Sequence, residues 1–239
     1  MNESPHTGTA PRDHVTAEVA LPGRRQFLQV AGITLAFAAF GCDDDDDDGP
    51  TGPNDGEVDL GSGDTGILNY AYALEQLEAA FYTQVIVTPY TGITAEETTI
   101  LTDIRDHEIV HREFLRAALG ANAITALEVD FSDVDFTSRA SVLGTAKTFE
   151  DLGVGAYNGA GQLLADANLL LIAGKIVSVE ARHASAIRDL LNPNSADFAG
   201  DDVVEAATGL DAALPPAAVL LAAGPFITTE INAGSLPTT

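Results

Sequence analysis

Four stretches of helical period, about residues 65–86, 95–119, 137–164 and 166–191, each carry acid on the stripe that has to turn inward. Gly and Pro gather between the stretches, and residues spaced alternately by three and four share one helix face. On that face the second stretch reads Leu101, Ile104, Glu108, His111, Leu115, Ala118, and the fourth reads Ala173, Ile176, Glu180, His183, Ile187, Leu190, at a constant offset of 72. The first reads Leu68, Ala71, Glu75, Glu78, Tyr82, Val85 and the third Leu143, Ala146, Glu150, Gly153, Tyr157, Ala160, at an offset of 75. The chain therefore consists of two helix-pair halves. In each half the first helix carries Glu and, seven residues on, Tyr, and the second carries Glu-x-x-His.

An unpaired carboxylate in an apolar core costs several kcal/mol, so four glutamates facing one another require a positive partner. Lys175 and the arginines lie off the inward stripes, so the neutralising charge is either protons or divalent or trivalent metal ions, which supply it directly. Cys42 is the only cysteine, so a disulfide scaffold and a cysteine-built zinc site are excluded and any metal must be held by His and carboxylate. Glu and His spaced i, i+3 offer an oxygen and a nitrogen to one ion from one helix, and a Glu from each of the other helices can bridge or cap. Glu75 and Glu78 stand only about 60° apart around their helix. The repeat selects Glu75, whose counterpart is Glu150, whereas Glu78 faces Gly153 and is left as an outer contact or extra ligand. Tyr82 and Tyr157 are placed either to hydrogen-bond carboxylates or to fill core volume. His107 lies about 100° off the stripe and reads as a surface or helix-contact residue, not a ligand.

The link at Ala121 to Phe136 is long enough to cross the length of a bundle, while the link between the first two helices is short. The stretches Leu68-Asn69-Tyr70-Ala71, Leu74 through Tyr82, His107-Glu108-Ile109-Val110-His111 and Val179-Glu180-Ala181-Arg182-His183-Ala184 resemble the exported ferritin-like domain family, in its desiccation-related branch. The resemblance covers about Asp64 to Leu191 and the tail Pro215 to Ile227. It implies an all-α fold, a ferritin-like four-helix bundle with one long crossover between the second and third helices and a short C-terminal helix. It also implies two iron or manganese ions held by Glu75, Glu108, His111, Glu150, Glu180 and His183, with Glu78, Tyr82 and Tyr157 around them. The chemistry so implied is handling of peroxide, O2 or Fe(II) under stress. The other reading is a non-catalytic protective or surface-interaction protein in which metal only staples the bundle.

Ahead of the helices, Arg24-Arg25-Gln26-Phe27-Leu28 precedes an apolar run from Val30 to Gly41, which is shorter than the roughly 20 residues needed to span a bilayer. Residues 1–42 thus resemble a twin-arginine export signal, and the expected location is periplasmic or at the cell surface. Ala39-Phe40-Gly41-Cys42 resembles a lipobox with Ala39 where Leu is usual; Cys42 is then lipidated, or cleavage near Ala36-Phe37-Ala38 releases the chain. Contact with a membrane is expected only through that lipid. Residues 43–63, opening with Asp43 to Asp48, read as an acidic, self-repelling, disordered spacer in preference to a calcium site. Residues 64–192 form the bundle and 193–239 an extension with a short helix after Pro215-Pro216. The leader carries three basic and three acidic residues, so its loss leaves the net charge of −25 unchanged. So acidic a surface repels nucleic acid, and the expected partner is a small oxidant.

Overall fold

The computed structural model describes residues 56–238, and the leader, Cys42 and the Asp43–Asp48 run lie outside them. Four long helices, α1 (Gly63–Val87), α2 (Ala95–Leu119), α3 (Arg139–Gly161) and α4 (Ala167–Leu191), are followed by the short α5 (Pro216–Ala223). Helix α1 packs on α2 and α3 on α4, with α1 beside α3 and α2 beside α4, so the expected four-helix bundle is the observed one. Among the described residues no helix is long and apolar enough to cross a membrane.

Local chemistry sets the helix ends. Helix α2 opens on a capping box in which the Glu97 N–H donates to Thr94 Oγ1 (3.1 Å) and the Thr94 N–H to Glu97 Oε2 (2.8 Å). It stops at Gly120, whose φ of +56° a residue with a Cβ adopts only under strain. At the start of α1 the N-cap position is taken by Ser62, not by Asp64. The Asp64 carboxylate instead accepts the N–H groups of Ala165 and Asp166 (2.7 and 2.9 Å), tying the start of α1 to the turn before α4. Helix α3 begins two residues later and ends three residues earlier than its period suggests. Asp135 and Ser138 hold the entering turn through Thr137 and Ser141, and Leu163 and Leu164 close the exit with turn bonds to Ala160 and Gly161.

The long crossover between α2 and α3 runs along the outside of α1. Asn69 donates to the carbonyls of Leu60 and Asn122 and accepts the Ile124 N–H, while Gln76 accepts the Leu127 N–H. Phe131 of the crossover joins Phe81, Phe149 and Phe226 in edge-on and tilted ring contacts. As a result α1 buries 16 of its 25 residues, whereas α2 buries seven and α4 six, so α2 and α4 form the open side of the bundle.

Two three-residue strands, β1 (Glu57–Asp59) and β2 (Glu230–Asn232), pair in parallel with Val58 opposite Ile231. This corrects the spacer expected over residues 43–63. Its last part is ordered, because Leu60 is fully buried and β1 has a partner in the C-terminal tail. The same tail crosses α3 at Gly155 and Gly159, where the Leu214 N–H donates to the Gly155 carbonyl (2.9 Å). Arg188 of α4 is buried and held by Asp151 of α3 and Asp202 of the extension (2.6 and 2.9 Å).

Candidate metal centre

All four helices deliver acid to one point in the core. Glu75 (α1), Glu108 (α2), Glu150 (α3) and Glu180 (α4) are each fully buried, and His111 and His183 point Nδ1 into the same space. One atom each from Glu75, Glu108, His111 and Glu180 lie within 4.8 Å of one another, and so do atoms from Glu108, Glu150, Glu180 and His183. The two sets share Glu108 and Glu180. The six residues singled out in the sequence are therefore brought together, and the glutamates of the Glu-x-x-His pairs sit between the sets while Glu75 and Glu150 sit at the outer ends.

The donor atoms lack the partners that burial demands. Among the described residues Glu75 Oε2, both oxygens of Glu108 and of Glu180, Glu150 Oε2, His111 Nδ1 and His183 Nδ1 are buried without a hydrogen bond. They nonetheless crowd together: His111 Nδ1 is 3.0 Å from Glu180 Oε1 and 3.5 Å from Glu75 Oε2, and His183 Nδ1 is 2.7 Å from Glu108 Oε1 and 3.4 Å from Glu150 Oε2. Two ligands at right angles on one ion, each about 2.1 Å from it, stand about 3 Å apart. Orphaned oxygens and nitrogens at that spacing fit a metal, and the mixed carboxylate and imidazole donor set suits iron or manganese.

The two outer oxygens are fixed by tyrosines in a reciprocal cross. Tyr82 of α1 donates to Glu150 Oε1 of α3, and Tyr157 of α3 donates to Glu75 Oε1 of α1. Of the two roles open to these tyrosines in the sequence, carboxylate contact is the one adopted. Glu78 is buried beside the cluster on the α1–α3 side, lining a small cavity with Leu74, Phe149 and Gly153. A Cβ on Gly153 would come 3.1 Å from Glu78 Oε1 and 3.3 Å from Glu180 Oε2, a close approach that the glycine relieves where the repeat breaks.

Burial raises the affinity of these acids for protons. It lifts Glu75 to about 7 despite the lowering effect of His111, and it lifts Glu150 and Glu180 to about 8. Glu78 is also raised well above the usual carboxylate range, by burial and then by the negative charge of Glu180. Burial acts upward on Glu108 as well, but the two adjacent imidazoles pull it down to about 2. Burial lowers His183, yet the adjacent Glu108 and Glu150 carboxylates outweigh it and bring the imidazole to about 10; the carboxylates around His111 raise it in the same way. Without a metal, protons must neutralise the cluster.

On the α2–α4 side an open cleft of about 350 Å3 has His111 and His183 as its floor and Val110, Val179, His107 and Arg182 around it. His107 is exposed, as its place off the stripe implies, but its Nδ1 lies 2.9 Å from His183 Nε2. Arg112 pairs with Glu113, whereas Arg182 has no acid partner among the described residues.

No curated protein matches the chain. A family model described as a ferritin-like domain matches residues 63–193, the bundle with its six converging donors and more than half of the sequence. With that bundle and its carboxylate and histidine cluster in place, the chain belongs to the ferritin-like domain family.

Proposed function

We propose that this is an exported ferritin-like protein whose two overlapping donor sets hold a pair of iron or manganese ions and handle peroxide, O2 or Fe(II) under stress. The observation that carries the reading is the set of buried oxygens and imidazole nitrogens left without partners, gathered in two groups of four that share Glu108 and Glu180. Bound there, such ions would supply valence change toward a small oxidant. The chain's own residues do the rest: Tyr82 and Tyr157 hold one oxygen each of Glu150 and Glu75, leaving the second oxygen to the centre. The cleft above His111 and His183 is wide enough to admit small molecules from solvent.

Assignment to the desiccation-related branch rests on the motifs around Tyr82, His111 and His183, and export on Arg24-Arg25 with the apolar run after it. Cofactor loading before a folded-state export would shield the site from competing metals outside. The deciding experiment purifies the mature protein, counts its iron and manganese, and follows H2O2 and O2 consumption. Metal with turnover supports the redox reading, metal without turnover turns it into the structural staple, and absence of metal overturns both. Mass spectrometry of the same sample's N-terminus separates diacylglycerol on Cys42 from a free chain beginning near residues 37–42.

A further inference from the structure

The two halves of the centre match in their donors but differ in what stands behind the histidines. The rings of His107 and His183 meet edge to edge, with centroids 5.2 Å apart and planes 9° from parallel, so the nitrogens face one another in the ring planes. His183 thus touches the acid cluster with Nδ1, 2.7 Å from Glu108 Oε1, and His107 with Nε2, 2.9 Å from its Nδ1. A nitrogen that ligates metal must present its lone pair, so the neutral ring carries its proton on the other nitrogen. The His183 Nε2–H then donates to His107 Nδ1, and His107 keeps its own proton on Nε2.

The repeat offset of 72 places Val179 where the other half has His107. Val179 offers no acceptor. His111 therefore has no equivalent support, and among the described residues its Nε2 makes no hydrogen bond while the ring borders the cleft.

We propose that His107 is a positioning residue that makes the two metal positions unequal, so that the ion between Glu150 and His183 is held more tightly than the ion between Glu75 and His111. The inference rests on the two-ion reading above and adds to it an order of binding. Fixing the tautomer and plane of an imidazole ligand through its second nitrogen is worth 10- to 100-fold in metal affinity in other centres, roughly the gap expected between the two positions here.

The test titrates metal-free protein with Mn(II), by calorimetry and by the EPR signal of the bound ion, and then follows its loss to EDTA. The wild type should bind two ions in separate steps. His107→Phe keeps an aromatic ring but removes the acceptor, and should weaken the tighter step roughly 10-fold or more while two ions still bind at saturation. His107→Asn, whose Oδ1 can take the place of the imidazole Nδ1, should recover most of that loss. His183→Ala should abolish the tight step and His111→Ala the weak one. The proposal is overturned if His107→Phe leaves both steps unchanged, weakens both equally, or behaves like His107→Asn. A wild type that binds no Mn(II) overturns the two-ion reading itself. His107 is exposed, so its substitution removes little buried volume.

Discussion

Each acid in the centre has a distinct neighbourhood, and the difference decides what its removal should do. Glu75 and Glu150 belong to one donor set each and are anchored by a tyrosine from the opposite helix, whereas Glu108 and Glu180 belong to both sets. Glu75→Ala or Glu150→Ala should therefore lower bound metal by about one ion per chain, and Glu108→Ala or Glu180→Ala by about two; metal analysis of dialysed protein reads the difference. Equal losses in all four variants would contradict the shared placement of Glu108 and Glu180. The identity of these residues was legible from the repeat, because matched offsets of 72 and 75 put acid on an apolar stripe in each helix. The partner of each was not. Tyr82 shares a helix with Glu75 yet bonds Glu150, a crossing set by how α1 and α3 face one another.

At the level of elements, helix type followed from period, and α2 has the bounds its sequence implies, Ala95 to Leu119, because Thr94, Glu97 and Gly120 specify them locally, whereas the ends of α3 did not follow. What covers each helix did not follow. Asn69 and Gln76 look like ordinary polar residues on a solvated face, but both are buried and serve the backbone of the crossover, a contact more than 45 residues distant in sequence. The C-terminal extension is equally a tertiary matter. A Cβ at Gly159 would overlap the Leu214 carbonyl oxygen, an impossible approach, and one at Gly155 would meet the Leu214 side chain at 2.8 Å. Gly159→Ala should therefore lift the extension off α3 and destabilise the domain by about 1–3 kcal/mol, as overpacking does. Thermal melting gives the magnitude, and faster proteolysis between residues 193 and 215 than in the wild type locates it. Unchanged melting and cleavage would mean that the extension does not hold to α3 through this contact.

For the whole molecule, the buried acids link metal, protons and stability. Glu75 near 7, Glu150 and Glu180 near 8 and His183 near 10 all bind protons more strongly folded than in their ordinary states at 4.5 and 6.5. Groups raised in this way stabilise the metal-free fold fully below their unfolded values and lose that contribution as pH rises through the folded ones. Glu108 runs the other way, its contribution fading only as pH falls from 4.5 toward 2. The metal-free protein should therefore melt at progressively lower temperature between about pH 5 and pH 9, while ions in place of protons remove much of that slope. The gain in Tm on loading with Mn(II) should be larger at about pH 8.5 than at about pH 6, and a gain that is flat or reversed with pH would show that protons do not neutralise the empty cluster. By itself the sequence determined the helices, their inward faces and the residue types on them, because period, caps and the cost of buried charge act locally or through a repeat. Only the tertiary structure decided which acid lies between the donor sets, which tyrosine holds which carboxylate, and that His107 stands behind His183. Those relations depend on the order and facing of packed helices, which the spacing along one helix does not encode.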